Sequence, residues 1–288
     1  MGGGCWTTQD YAAYSCSLGR SVTKDGTLNA SLTSQDLFTS RRLDPALDPK
    51  NVLRECRDSD EHPATIPVIL ALDVTGSMGS AAAEVAKKLN KVMTDLYEEV
   101  QDVEFMIMGI GDLAYDDAPI QASQFESDIR IAEQLDKVYF EGGGGGNSFE
   151  SYTAAWYFGL RHADLDCWKR GKKGVIITMG DEKLNPYLPA RGLTRSLGDN
   201  LEADIETPAL YEQARERFSI YHLSVKDRAT CYTWCADNID ASFKRVIGED
   251  HYRVVSLDSI AGTIVDIVKK EAATDATPAG IFEHGISW

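Results

Sequence analysis

Four almost unbroken apolar runs constrain this chain more than any other feature. Residues 66–72 read IPVILAL, 103–110 VEFMIMGI, 174–179 GVIITM and 218–225 FSIYHLSV. A strand with one wet face alternates apolar and polar residues. A continuous run is covered on both faces, the habit of parallel strands packed between helices. Between the first two runs, Val85, Leu89, Val92, Met93, Leu96 and Val100 recur at spacings of three and four, along one face of a helix of roughly five turns. Shorter strands are predicted over 119–125 and 252–256. Helices are predicted over 127–137, 149–163, 207–217, 237–247 and 259–270, the last capped by Asp258. Residues 181–204 read as a polar insertion. Strand and helix in alternation specify an α/β fold: a doubly wound, mostly parallel central sheet with helices on both faces.

The sequence divides into an N-terminal arm (1–60), the α/β domain (61–272) and a tail (273–288). The arm carries Trp6, Tyr11, Tyr14, Leu37, Phe38 and Leu43, too many apolar side chains for a free linker. It is expected to pack on the domain away from the strand-end tip, either completing the core or docking a second subunit. A short helix is expected over 48–56, with Asp48 as cap and Pro49 in the first position. At 43% hydrophobic residues the chain has enough apolar mass for a core, which excludes wholesale disorder. Its net charge of −16 repels phosphate backbones and anionic bilayers, so nucleic acid and membrane are excluded as expected partners. No apolar stretch approaches the roughly 20 residues that span a bilayer. The first residues lack the basic-then-apolar order of a secretory signal, and Trp6 stands where a myristoylation motif wants Ser or Thr. Six scattered cysteines then read as free thiols in a reducing cytoplasm. Cys231 and Cys235 have no second Cys/His pair at zinc-like spacing.

Ligands of open α/β sheets bind at the carboxyl ends of the strands. Asp73-Val-Thr75-Gly76-Ser77 follows the first run, Gly111-Asp112 the second, and Gly180-Asp181-Glu182 the third. A glycine run, 142–146, leads into Asn147-Ser148-Phe149-Glu150. These oxygens suit a hard cation such as Mg²⁺, which takes octahedral oxygen ligands at about 2.0–2.1 Å and keeps several waters. Thr75 and Ser77, two apart in an extended turn, can aim both hydroxyls the same way. Asp73, Glu150 and Asp181 bring charge from three loops, and Gly76 lets its loop pass close to the ion.

Asp73-x-Thr75-x-Ser77 at the end of a buried strand resembles the first motif of the metal-ion-dependent adhesion site of von Willebrand factor A domains, with Thr75 in place of the usual Ser. Asp181 matches the family's distal aspartate. The middle loop is similar to the integrin β-subunit version, in which a Glu opening a helix is the ligand; that role falls to Glu150, with Ser148 and Thr153 as substitutes. The resemblance covers residues 66–270 and extends to intracellular bacterial or phage proteins of this type. It implies a metal-binding module, not an enzyme: Mg²⁺ (or Mn²⁺ or Ca²⁺) would present an open position to a Glu or Asp of a partner protein. It also implies that the last helix shifts between two states, and it permits an ATPase or kinase system beside the protein. Asp112, Asn147 and Ser148 would stand behind the ligands.

Each residue also has a plainer reading. Ser77 can cap the following helix, with Asp73 near its positive end. Asp112 can orient metal-bound water or cap a turn, the turn being favoured. Asp116 and Asp117 can hold a second cation or line a solvated loop. His222, Trp156, Tyr157 and Phe158 read as core. The glycine run lacks the Lys-Ser/Thr ending of a phosphate-binding loop. The alternative function is a metal-dependent hydrolase or phosphotransferase with Asp73 as acceptor, but the haloacid-dehalogenase pattern wants a second Asp where Thr75 stands.

Overall fold

The computed structural model describes residues 4–142 and 146–275, so residues 143–145 of the glycine run and the expected tail from 276 onward lie outside the described residues. The four apolar runs are the four central strands of a six-stranded sheet. The strands are β1 (Ile66–Asp73), β2 (Val103–Ile110), β3 (Ile120–Ala122), β4 (Gly174–Gly180), β5 (Phe218–Val225) and β6 (Tyr252–Val255). Their order across the sheet is β6-β5-β4-β1-β2-β3. Every pairing is parallel except that of β3, which runs antiparallel to β2 at the edge.

The side-chain period of two divides each central strand between two cores. Val68, Leu70, Leu72, Val175 and Ile177 face one, with helix α3 (Gly79–Tyr97) and α9 (Ile260–Asp275). Ile69, Ala71 and Ile176 face the other, with α5 (Thr153–Arg161), α7 (Thr207–Ala214) and α8 (Tyr232–Ile247). Trp156, Tyr157, Phe158 and His222 are buried, as the sequence implies. His222 Nδ1 pairs with the Thr178 hydroxyl at 2.8 Å and its ring stacks on Phe243, with centroids 3.6 Å apart. Burial pushes its pKa well down, so it is a neutral core residue.

The arm joins the first core. Trp6, Tyr11, Leu37, Phe38 and Leu47 are buried in it, and the Trp6 indole donates to Asn90 Oδ1 at 2.9 Å. Arg20 and the Tyr14 hydroxyl both grip Asp136, at 2.7 and 2.8 Å. The arm also reaches the tip, against expectation: Ser34, which opens α2 (Ser34–Leu37), lies beside Gly79, where an added Cβ would meet its Oγ at 3.0 Å.

Several boundaries differ from the sequence reading. The expected helix over 48–56 is a turn, in which Asp48 accepts from Lys50 N at 3.0 Å, followed by strand Arg54–Cys56 beside strand Ala163–Leu165. A helix cannot supply that ladder. The segment expected as helix from 149 starts with strand Phe149–Glu150, parallel to Lys183–Leu184, and helix α5 begins only at Thr153. The insertion is structured: strand Tyr187–Leu188 pairs with Ile205–Glu206, and α6 (Ala190–Leu197) lies between them. Helix α8 starts at Tyr232 and is kinked at Cys235. Asp258 does not cap α9; its carboxylate is fully exposed and, among the described residues, pairs with Lys88 alone, at 4.0 Å.

Candidate metal centre

The strand order reverses at β1, which lies between β4 and β2, so the ends of these strands open into one crevice. Leu72 of β1 stands opposite Met179 of β4, which places Asp73 and Asp181 at neighbouring strand ends. After Asp73 the chain makes a 3-10 turn, Gly76–Met78, before α3 begins. No side chain caps that turn or the helix. The Ser77 hydroxyl instead donates across the crevice to Asp181 Oδ1 at 3.1 Å. This favours Ser77 as part of the carboxylate cluster over Ser77 as a helix cap.

Asp73 is completely buried and fully oriented. Its Oδ1 accepts from Thr75 N at 2.9 Å and Thr75 Oγ1 at 2.6 Å, and its Oδ2 accepts from the Tyr152 hydroxyl at 2.8 Å. The same tyrosine oxygen accepts from Glu182 N at 3.2 Å, so Tyr152 ties the end of β1 to the end of β4. The path is available because residue 180 is glycine: a Cβ there would overlap the Tyr152 hydroxyl. Asp181 Oδ2 in turn accepts from Cys231 N at 2.6 Å. Neither Tyr152, which lies in the segment expected as helix from 149, nor the Cys231 backbone, to which no side-chain motif points, is singled out by the sequence.

Glu150 comes in from the strand Phe149–Glu150. It is 5% exposed, and its Oε2 is buried with no hydrogen-bond partner among the described residues. Burial pushes its pKa well up, and the negative charges of Asp73, Asp116, Asp112 and Glu182 push it further. Asp73 is raised by burial and by Asp181, against the pull of its hydrogen bonds; Asp181 is raised chiefly by burial. Three carboxyls are thus held where ionising them is costly. Beside them, burial and the carboxylates push the Cys231 thiol up to about 12, so it stays neutral.

The supporting residues sort themselves plainly. Asp112 Oδ1 accepts from Ala114 N at 2.7 Å, the expected turn, while its Oδ2 accepts from Asn147 Nδ2 at 2.6 Å and anchors the end of the glycine run. Asp116 is buried and accepts from Asp112 N at 2.6 Å, so it is not part of a solvated loop. Thr153 is engaged elsewhere: its hydroxyl accepts from Asn185 Nδ2 at 2.6 Å. Ser148 is exposed. Gly76 leaves room for a backbone, since a Cβ on it would lie 2.9 Å from the carbonyl oxygen of Gly142. Among the described residues, no group of three or more His, Cys, Asp or Glu side chains is arranged to hold a metal ion by itself.

No protein-family model matches the chain, and no curated protein matches it. Solved structures do. The pilus adhesin SpaC from Lactobacillus rhamnosus GG, in its open conformation, is similar over 78% of this chain, with 13% identity and a TM-score of 0.51. This chain spans 31% of SpaC, and at that identity the likeness concerns the fold alone. The vWF domain of the type V pili tip protein Mfa5 from Porphyromonas gingivalis is similar over 73% of this chain and 96% of its own, with 11% identity. Proximal thread matrix protein 1 from the mussel byssus is similar over 73% of this chain, with 14% identity. Their TM-scores of 0.44 and 0.43 carry no argument. Among the described residues no helix is long and apolar enough to cross a membrane. The chain is therefore an α/β protein with a mostly parallel sheet, whose fold is shared with a bacterial adhesin and whose carboxylates gather at the strand ends.

Proposed function

We propose that this chain is a metal-dependent protein-binding module of the von Willebrand factor A type. The observation that carries the reading is Glu150, a buried carboxyl with an unpartnered oxygen, facing the charge of Asp73. A buried polar atom without a partner costs about 1–3 kcal/mol, more if charged, and a cation removes that cost for several oxygens at once. Asp73, Asp181 and Glu150 supply the charge, with Thr75 and Ser77 as hydroxyl donors. Because the carboxyls alone do not form a ligand set, hydroxyls and water complete it, as suits Mg²⁺; Mn²⁺ and Ca²⁺ are the substitutes. An open position then takes a Glu or Asp from a partner protein, and an ATPase or kinase system in the cytoplasm is the proposed setting.

The arrangement supports binding better than chemistry. Both oxygens of Asp73 already accept hydrogen bonds, which suits an oriented ligand and handicaps a phosphoryl acceptor. The test uses the immobilised chain as bait in Mg²⁺ and in EDTA, with Asp73→Asn as control, beside a phosphate-ester assay. Partners retained only in Mg²⁺ and only by the wild type support the module. Ester turnover that Asp73→Asn abolishes would replace it with the hydrolase.

A further inference from the structure

A second surface starts one residue from the carboxylate cluster. Phe149 and Lys183 stand opposite each other in the short parallel pair, and both line a groove of about 510 Å³ between α8 and residues 183–186. That volume lies within the ~300–1,000 Å³ of ligand clefts. Leu184, Ala241, Ser242 and Arg245 are also among its walls, and none of the lining residues is acidic. In a chain with 45 acidic and 29 basic residues, a cleft with two cations and no carboxylate stands out. Among the described residues neither Lys183 nor Arg245 has an ion-pair or hydrogen-bond partner for its side chain, although ion pairs are common elsewhere on the surface.

At the other end of the same helix, Trp234 is 83% exposed. It lies three residues beyond Cys231, whose N–H holds Asp181. Exposed tryptophans are costly to leave in water, and Trp is enriched among interface hot spots, with Tyr and Arg. Trp234 and Arg245 lie on either side of the kink at Cys235: Trp234 precedes the kink and Arg245 lies near the end of the helix.

We propose that this groove binds an acidic extended segment of a partner protein. Lys183 and Arg245 take carboxylates that flank the one facing the cation, and Trp234 packs on the partner's apolar surface. The inference rests on the proposed binding module for its partner but not for its charge, so the two can fail separately. The probe is fluorescein-labelled hexaglutamate, with hexaglutamine as control, read by fluorescence anisotropy. In EDTA the groove acts alone. Hexaglutamate should bind more tightly than hexaglutamine, weaken as salt rises, and lose about fivefold or more in Lys183→Glu/Arg245→Glu. Asp73→Asn should show no increment on addition of Mg²⁺. Equal binding of the two peptides in EDTA, or charge reversal without effect, overturns the groove. Binding in EDTA with no Mg²⁺ increment in the wild type keeps the groove and overturns the metal-dependent reading. If the double reversal does not fold by circular dichroism, Lys183→Gln/Arg245→Gln makes the same comparison, with a smaller loss expected and no loss overturning the proposal.

Discussion

Tyr152→Phe removes one oxygen from the point where the first and third strand-end loops meet. The ring is fully buried, so phenylalanine keeps its packing. What goes is the 2.8 Å donation to Asp73 Oδ2 and the acceptor for Glu182 N. A hydrogen bond to a charged group contributes about 1.5–3 kcal/mol. In a domain of this size each kcal/mol moves the melting temperature by roughly 2–4 °C, so melting in EDTA should fall by about 3–12 °C. For the cation, Tyr152 is the partner that aims a ligand, and losing such a partner typically weakens metal binding 10–100-fold. Isothermal titration calorimetry with Mg²⁺ measures this directly. A variant that folds, melts lower and binds Mg²⁺ within about twofold of wild type would refute the role of Tyr152 in holding Asp73 for a metal.

Gly180→Ala should do comparable damage by another route, since its Cβ overlaps the same hydroxyl; overpacking of this kind costs about 1–3 kcal/mol, read as a lower midpoint in urea. The pH dependence has a definite sign. Asp73, Glu150 and Asp181 are all raised by burial, so the folded state binds protons more tightly than the unfolded one. Their favourable contribution is complete below the ordinary carboxylate range near 4 and is lost as pH rises through the raised values. The EDTA-treated protein should therefore melt lower at about pH 8 than at pH 5, and Mg²⁺ should shrink the difference; an equal difference with and without Mg²⁺ would contradict a cation among these groups. Trp6→Ala should cost about 3–5 kcal/mol by chemical denaturation, and removal of residues 1–60 should abolish folding, because the arm is part of the first core.

Much of this was legible in the sequence because the signals are local. The runs at 66–72, 103–110, 174–179 and 218–225 are apolar throughout because both faces of each strand are covered, and each became a central strand. Asp73, Thr75 and Ser77 could be singled out because they follow such a run. What escaped depends on distant partners. Phe149–Glu150 reads as the start of a helix until Lys183–Leu184 offers it a ladder. The hydroxyl of Tyr152 is directed by strand ends that its own neighbours do not reveal. The two-residue strands of the insertion are too short to carry any periodicity.

The most direct test is calorimetric titration of Mg²⁺ into the EDTA-stripped, dialysed chain, wild type beside Asp73→Asn. A cation among Asp73, Thr75, Ser77, Glu150 and Asp181 requires one saturable site per wild-type chain. At 100 times its Kd, the bound ion adds about 2.7 kcal/mol of stability. In Asp73→Asn both the site and the added stability should be lost. Wild type and variant giving the same isotherm, or neither binding, would contradict a metal centre at this tip.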